Sequence, residues 1–153
     1  MQDSSKNFLG KYQLLRRLGT TGLASVFLAI DTNTKNTFVL KVLHSYFSSQ
    51  TDHTDAFTQT LTEITKLNHP NIVRVHDITE IENHTVIIMD YIGCPYLKFR
   101  DRETLPVKEV SRILAQVSKG IEYAHGNGII HRDIRPSNIF YDPLSGQVTI
   151  SDF

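Results

Sequence analysis

His131-Arg132-Asp133-Ile134-Arg135-Pro136-Ser137-Asn138 is the stretch that decides the reading, and Ser151-Asp152-Phe153 follows it at the chain's end. The eight residues hold a histidine, two arginines, a carboxylate and a carboxamide. Pro136 in their midst marks a loop rather than a regular helix. Asp133 can serve as a base, and Asn138 and Asp152 offer hard oxygen donors of the kind magnesium prefers. Their spacing suits groups gathered around one phosphate.

The neighbouring segments frame this loop. Residues 139–141 and 148–151 are short apolar runs around a turn at 143–146, which predicts a two-stranded hairpin. Upstream, Val110, Leu114, Val117, Ile121 and Ala124 fall at helical spacing. Pro106 sits where the first turn of that helix would begin, and Gly126 and Gly128 are candidates to end it. Gly93-Cys94-Pro95 breaks the pattern before it, and a boundary between two parts is placed there.

The front part reads differently. Residues 12–18, 26–30 and 38–43 are strand-like, separated by a turn at 19–22 and a polar hairpin loop at 31–36. Phe57, Leu61, Ile64 and Leu67 then predict a helix, which Pro70 brings to an end. Residues 72–75 and 86–91 predict two more strands, with a turn near Glu82 and Asn83. The expected fold class is α+β: a five-stranded antiparallel sheet with one helix, then a mainly helical part. The expected organisation is a tail at 1–11, a first lobe with its hinge at 12–92, and an incomplete second lobe at 93–153.

Bulk composition excludes several classes. Of 153 residues, 40% are hydrophobic and 21% charged, as in a soluble globular domain. Sixteen basic residues balance sixteen acidic ones, which gives no reason to expect nucleic acid or an anionic membrane as partner. The apolar run Val86-Ile87-Ile88-Met89 is too short to span a bilayer, and no signal peptide opens the chain. Cys94 is the only cysteine, so no intrachain disulfide forms and a reducing, cytoplasmic compartment fits best. The histidines show no metal-site spacing.

Lys41 interrupts the strand Phe38-Val39-Leu40-Lys41-Val42-Leu43. A charge inside an apolar run is costly unless it is paired or reaches water. Gly19-Thr20-Thr21-Gly22-Leu23-Ala24-Ser25-Val26 precedes it as a glycine turn between strands. Taken in order, the glycine turn, the strand lysine, the His131–Asn138 loop and the Asp-Phe pair resemble the eukaryotic-type serine/threonine protein kinases, bacterial members above all. The resemblance runs from about Tyr12 to Phe153 and covers roughly the first half of such a domain.

The resemblance implies ATP and Mg²⁺ as ligands and transfer of the γ-phosphoryl group to a serine or threonine of a protein. Asp133 matches the catalytic base, Lys41 the lysine on the α- and β-phosphates, Asn138 and Asp152 the metal ligands, and Arg135 a cation assisting at the γ-phosphate. Leu18, Gly19, Thr20, Thr21, Gly22, Leu23, Ala24 and Val26 match the phosphate-covering turn, in which Thr21 and Ala24 replace glycines of the family pattern. Val39, Met89, Asp90, Ile92 and Phe140 match the adenine pocket and hinge. The family glutamate that pairs the lysine falls on Thr60, and Glu63 lies one helical turn further on. That departure keeps a second function in view, a catalytically inactive, pseudokinase-like regulatory or interaction module. The family's activation loop and later helices are not encoded, so a missing C-terminal half or a complementing chain is an expected partner.

Overall fold

The computed structural model describes residues 8–44, 62–94, 97 and 105–153. The chain divides into two compact units, Met1–Thr65 with Val75–Tyr91, and Lys66–Arg74 with Ile92–Phe153.

The first unit is built on strands β1 (Phe8–Leu9), β2 (Tyr12–Thr20), β3 (Ala24–Asp31), β4 (Thr37–Leu43), β5 (Val75–Ile81) and β6 (His84–Asp90). They form one six-stranded sheet in the order β1-β2-β3-β4-β6-β5, with every neighbouring pair antiparallel. Five strands were expected, and the sixth is Phe8–Leu9, from the segment read as a tail. It folds back on Tyr12 because Gly10 adopts φ +55°, and a Cβ at Gly10 would stand 3.0 Å from Ile81 Cγ2. Burial of Leu9 and Tyr12 in the sheet's apolar cluster holds the strand in place.

Register separates the two faces of this sheet. Leu40 pairs with Ile88 and Val42 with Val86, and this face carries the cluster of Ala29, Leu40, Val86 and Ile88. Side chains alternate along a strand, so Lys41 stands on the other face. It is flanked across the strands by Val26 and Ile87, and the next pairs on that face are Leu28 with Val39 and Val39 with Met89. The lysine therefore breaks the apolar run without placing its charge in the main cluster. Residues 62–66 are helical, as expected; Phe57, Thr60 and Leu61 lie outside the described residues.

In the second unit, the helix α1 (Val107–Gly126) packs on the hairpin of β7 (Ile139–Asp142) and β8 (Gln147–Ile150), with a 3-10 turn at Pro136–Asn138. The expected strand at 72–75 is corrected: β5 starts at Val75, and Ile72 forms only a parallel bridge to Ile150. The reason is Asn71, which is buried. Its Nδ2 donates to the Val148 carbonyl (2.8 Å) and to Gln116 Oε1 (3.0 Å), and its own carbonyl accepts from Ile150 N (2.9 Å). These bonds tie residues 66–74 to β8 and α1.

The buried side of α1 is Ile113, Val117, Gly120 and Ala124. Leu114 is 58% exposed, so the apolar stripe read through Val110, Leu114 and Ile121 is rotated relative to the packed one. The helix ends in a Schellman motif. Ile129 N donates to Ala124 O, Gly128 N donates to His125 O, and Gly128 takes φ +77°. Gly128 is thus the terminating glycine, whereas Gly126 is still helical. Buried Ile129 then carries the chain into the loop at His131.

Candidate active site

The loop after α1 is held by its own polar groups. Asn138 is buried and its Nδ2 makes two bonds, to Asp133 O (2.8 Å) and to Asp133 Oδ2 (2.9 Å). Both amide hydrogens are therefore directed at Asp133, which fixes the orientation of the carboxamide. Arg135 Nε stands 3.4 Å from the same Asp133 oxygen, with both side chains mostly exposed. At that exposure and distance the pair adds little stability. It does keep a cation beside the carboxylate.

His131 locks this loop to the end of the chain. It is buried, and its Nε2 lies 2.7 Å from the Ser151 carbonyl. A carbonyl only accepts, so Nε2 carries the proton, and Nδ1 accepts from the Asp133 amide at 3.2 Å. Phe153 packs edge-on against the His131 ring, centroids 4.5 Å apart. Ser151 donates back from its amide to the Asn138 carbonyl at 2.8 Å and from its hydroxyl to the same oxygen at 3.3 Å. Asp152, next in sequence, is thereby brought to the same loop as Asn138. The motif marked Asp133, Asn138 and Asp152, but not the bracing by His131 and Ser151. The available signal was His131 itself, a potential donor and acceptor among apolar neighbours.

Two non-glycine residues here have left-handed backbones, Arg132 at φ 66° and Asp152 at φ 64°. Such conformations cost of the order of 1–3 kcal/mol each, less for aspartate than for arginine. Their position beside the proposed chemical groups, rather than in a solvent turn, marks this loop as constrained.

In the first unit, Val26, Lys41, Val39 and Met89 share one sheet face, as the register requires. Phe140, from the second unit, is half-buried in β7, and Ile92 is half-buried beyond β6. Leu18 and Leu23 are exposed, and Ala24 is fully buried. β2 extends through Gly19 to Thr20, so the turn proper is Thr21 to Leu23, shorter than expected. Gly19 and Gly22 both have ordinary negative-side backbones, and a Cβ on either would meet nothing within 4 Å among the described residues. Neither chain packing nor left-handed geometry demands glycine there. Asp90, at the end of β6, holds His76 through an Oδ1 to Nε2 contact of 2.6 Å. Burial, then the charge of Asp142, push the Cys94 thiol up, so it is no thiolate nucleophile.

The protein kinase domain family model matches residues 12–153. Serine/threonine-protein kinase PrkC of Bacillus subtilis is 33% identical over 150 residues, covering 97% of this chain and 23% of PrkC. Serine/threonine-protein kinase PknA of Mycobacterium tuberculosis is 32% identical over 151 residues, covering 94% of this chain and 35% of PknA. A crystal structure of the Mycobacterium tuberculosis PknI kinase domain superposes with a TM-score of 0.83 at 29% identity, over 100% of this chain and 63% of that one. The chain belongs to the protein kinase domain family, and its relatives are bacterial serine/threonine kinases. It spans about a quarter to a third of the length of these curated relatives.

Proposed function

We propose that the chain binds Mg²⁺-ATP and, as part of a serine/threonine protein kinase, passes the γ-phosphoryl group to a protein hydroxyl. The observation that carries this is the Asp133–Asn138 pairing. With both Nδ2 hydrogens turned to Asp133, Asn138 has its Oδ1 left as the atom of its carboxamide to ligate a cation. An amide oxygen and the Asp152 carboxylate are hard donors that suit Mg²⁺, which completes its shell with phosphate oxygens and water. Bound there, the ion would neutralise charge on the phosphates.

The chain's own groups do the rest. Asp133, 59% exposed on its side chain, accepts the proton of the attacking hydroxyl as its oxygen bonds to the γ-phosphorus and ADP leaves. Arg135, held beside it, offsets negative charge on the phosphoryl oxygens. Lys41 takes the α- and β-phosphates, and Val26, Val39 and Met89 on its sheet face supply apolar contact for the base. The space at Gly19 and Gly22 suits close approach of a ligand to the backbone.

The first test is a thermal shift. Mg²⁺-ATP at 100 times its dissociation constant stabilises a folded protein by about 2.7 kcal/mol, a shift of several degrees in a domain of this size. Lys41→Ala is expected to abolish it. A parent chain whose midpoint does not move with Mg²⁺-ATP contradicts nucleotide binding and favours the pseudokinase-like alternative.

A further inference from the structure

We propose that the Thr21 hydroxyl acts as an internal competitor for phosphate on the glycine turn and so sets the chain's affinity for ATP; this rests on the nucleotide-binding function proposed above. Thr21 Oγ1 lies 3.1 Å from the Ala24 amide and 3.3 Å from the Leu23 amide, and its hydroxyl donates to the Ala24 carbonyl at 3.3 Å. A bond from Thr21 N to Ala24 O (2.8 Å) closes the same turn. Two successive amides thus converge on one oxygen, the arrangement by which backbone donors hold an anion. Thr21 is exposed, so water could have satisfied its hydroxyl.

The turn does not depend on that hydroxyl for its position. His44 N donates to Leu23 O at 2.9 Å. His44 Nδ1 lies 3.3 Å from the Gly22 carbonyl and Nε2 lies 3.1 Å from Ser25 Oγ, which also accepts from Arg17 Nη2 at 3.1 Å. Gly22 O only accepts, so Nδ1 carries the proton and Nε2 of the neutral ring takes the Ser25 hydroxyl hydrogen. This chain, from Arg17 through Ser25 and His44 to Gly22, braces the base of the turn and uses neither the Leu23 nor the Ala24 amide. Removing the Thr21 hydroxyl releases two donors without releasing the turn.

Charge decides the competition. Bonds to an ionised phosphate are roughly twice as strong as those to a neutral hydroxyl, so nucleotide displaces Thr21. Displacement still forfeits about one net neutral hydrogen bond, equivalent to roughly 3- to 10-fold in affinity.

Calorimetric titration of Mg²⁺-ATP and of adenosine into the chain, Thr21→Val and Thr21→Ser tests this. Valine keeps the branched shape and loses the hydroxyl, and serine keeps the hydroxyl. Thr21→Val is expected to bind ATP roughly 3- to 10-fold tighter, with Thr21→Ser like the parent and adenosine affinity equal in all three. Thr21→Ala carries the same expectation as valine and replaces it if valine disturbs folding. Hydrogen exchange at Leu23 and Ala24, without nucleotide, is expected to quicken in the hydroxyl-free variants. Equal ATP affinity in parent and hydroxyl-free variants overturns the proposal while leaving nucleotide binding intact. Parallel gains for adenosine and ATP overturn it too, because the effect would not be on phosphate. Absence of ATP binding in every protein overturns both functions, and unchanged exchange at the two amides overturns the competitor role alone.

Discussion

Asn138 shows how one side chain can serve structure and chemistry together. Its two amide hydrogens bind Asp133, while its backbone carbonyl receives the Ser151 amide. Asn138→Asp removes both donors and sets a carboxylate where the amide met Asp133 Oδ2 at 2.9 Å. Asp133 is 59% exposed, so water screens the new repulsion and the lost hydrogen bonds dominate. The expected loss is about 1–3 kcal/mol in urea unfolding with an unchanged slope. An unchanged midpoint would mean that the pairing contributes nothing to the fold. Arg132 and Asp152, both left-handed, add strain that His131 and Ser151 offset through their bonds across the loop.

At the scale of elements, the β3–β4 hairpin has its own electrostatic lock. The Asp31 carboxylate, nearly buried, meets Lys11 Nζ at 2.8 Å and accepts from the amides of Asn33 (2.8 Å) and Thr34 (3.1 Å). Lys11 first, then the Thr34 amide, hold its carboxyl below the usual carboxylate range, against the opposing pull of burial. The folded value lies below the unfolded one of about 3.9, so the contribution is complete above that value and lost as pH falls through the folded one. Asp31→Asn is therefore expected to melt lower than the parent at neutral pH, with the gap closing in acid. A gap constant from pH 7 to pH 2 would refute the lock. In the second unit, Gly120→Ala adds helix propensity worth about 1 kcal/mol, but its Cβ would stand 3.0 Å from Ile150 Cδ1 and 3.2 Å from Asn71 O. The isoleucine tip can turn aside, whereas the Asn71 carbonyl is held by Ile150 N. Overpacking costs about 1–3 kcal/mol, so the variant is expected to be less stable by thermal unfolding, and a gain in stability would show that the interface yields. Gly120 also explains what the sequence concealed in α1. Ile113 and Leu114 are adjacent and both apolar, so periodicity could not choose between their faces. The close approach of β8 at Gly120 chose Ile113. Similarly, β1 is too short to show a period, and Asn71 carries no apolar pattern, so neither its strand-like bonding nor its burial was legible.

At the scale of the whole molecule, the elements that were legible share a physical reason. β2 to β4 are apolar runs divided by turn residues, and Lys41 stands out as a charge among them. The His131–Asn138 loop was legible because its chemistry needs specific residue types at fixed spacing. The family match over residues 12–153 agrees with both. Thr21 was legible as a departure from the family's glycine, but its bonds to the Leu23 and Ala24 amides required coordinates. The proposed kinase chemistry asks both units to serve one nucleotide, Lys41 from the first and Asp133, Asn138 and Asp152 from the second. An ATP derivative carrying an acyl group on its terminal phosphate tests this most directly, because it acylates a lysine lying beside the phosphates of bound nucleotide. Peptide mass spectrometry is expected to find the acyl group on Lys41, dependent on Mg²⁺, blocked by excess ATP and lost with Asn138→Ala and Asp152→Asn. Labelling spread over other lysines, or labelling of Lys41 indifferent to ATP and to the metal ligands, would contradict a shared nucleotide site.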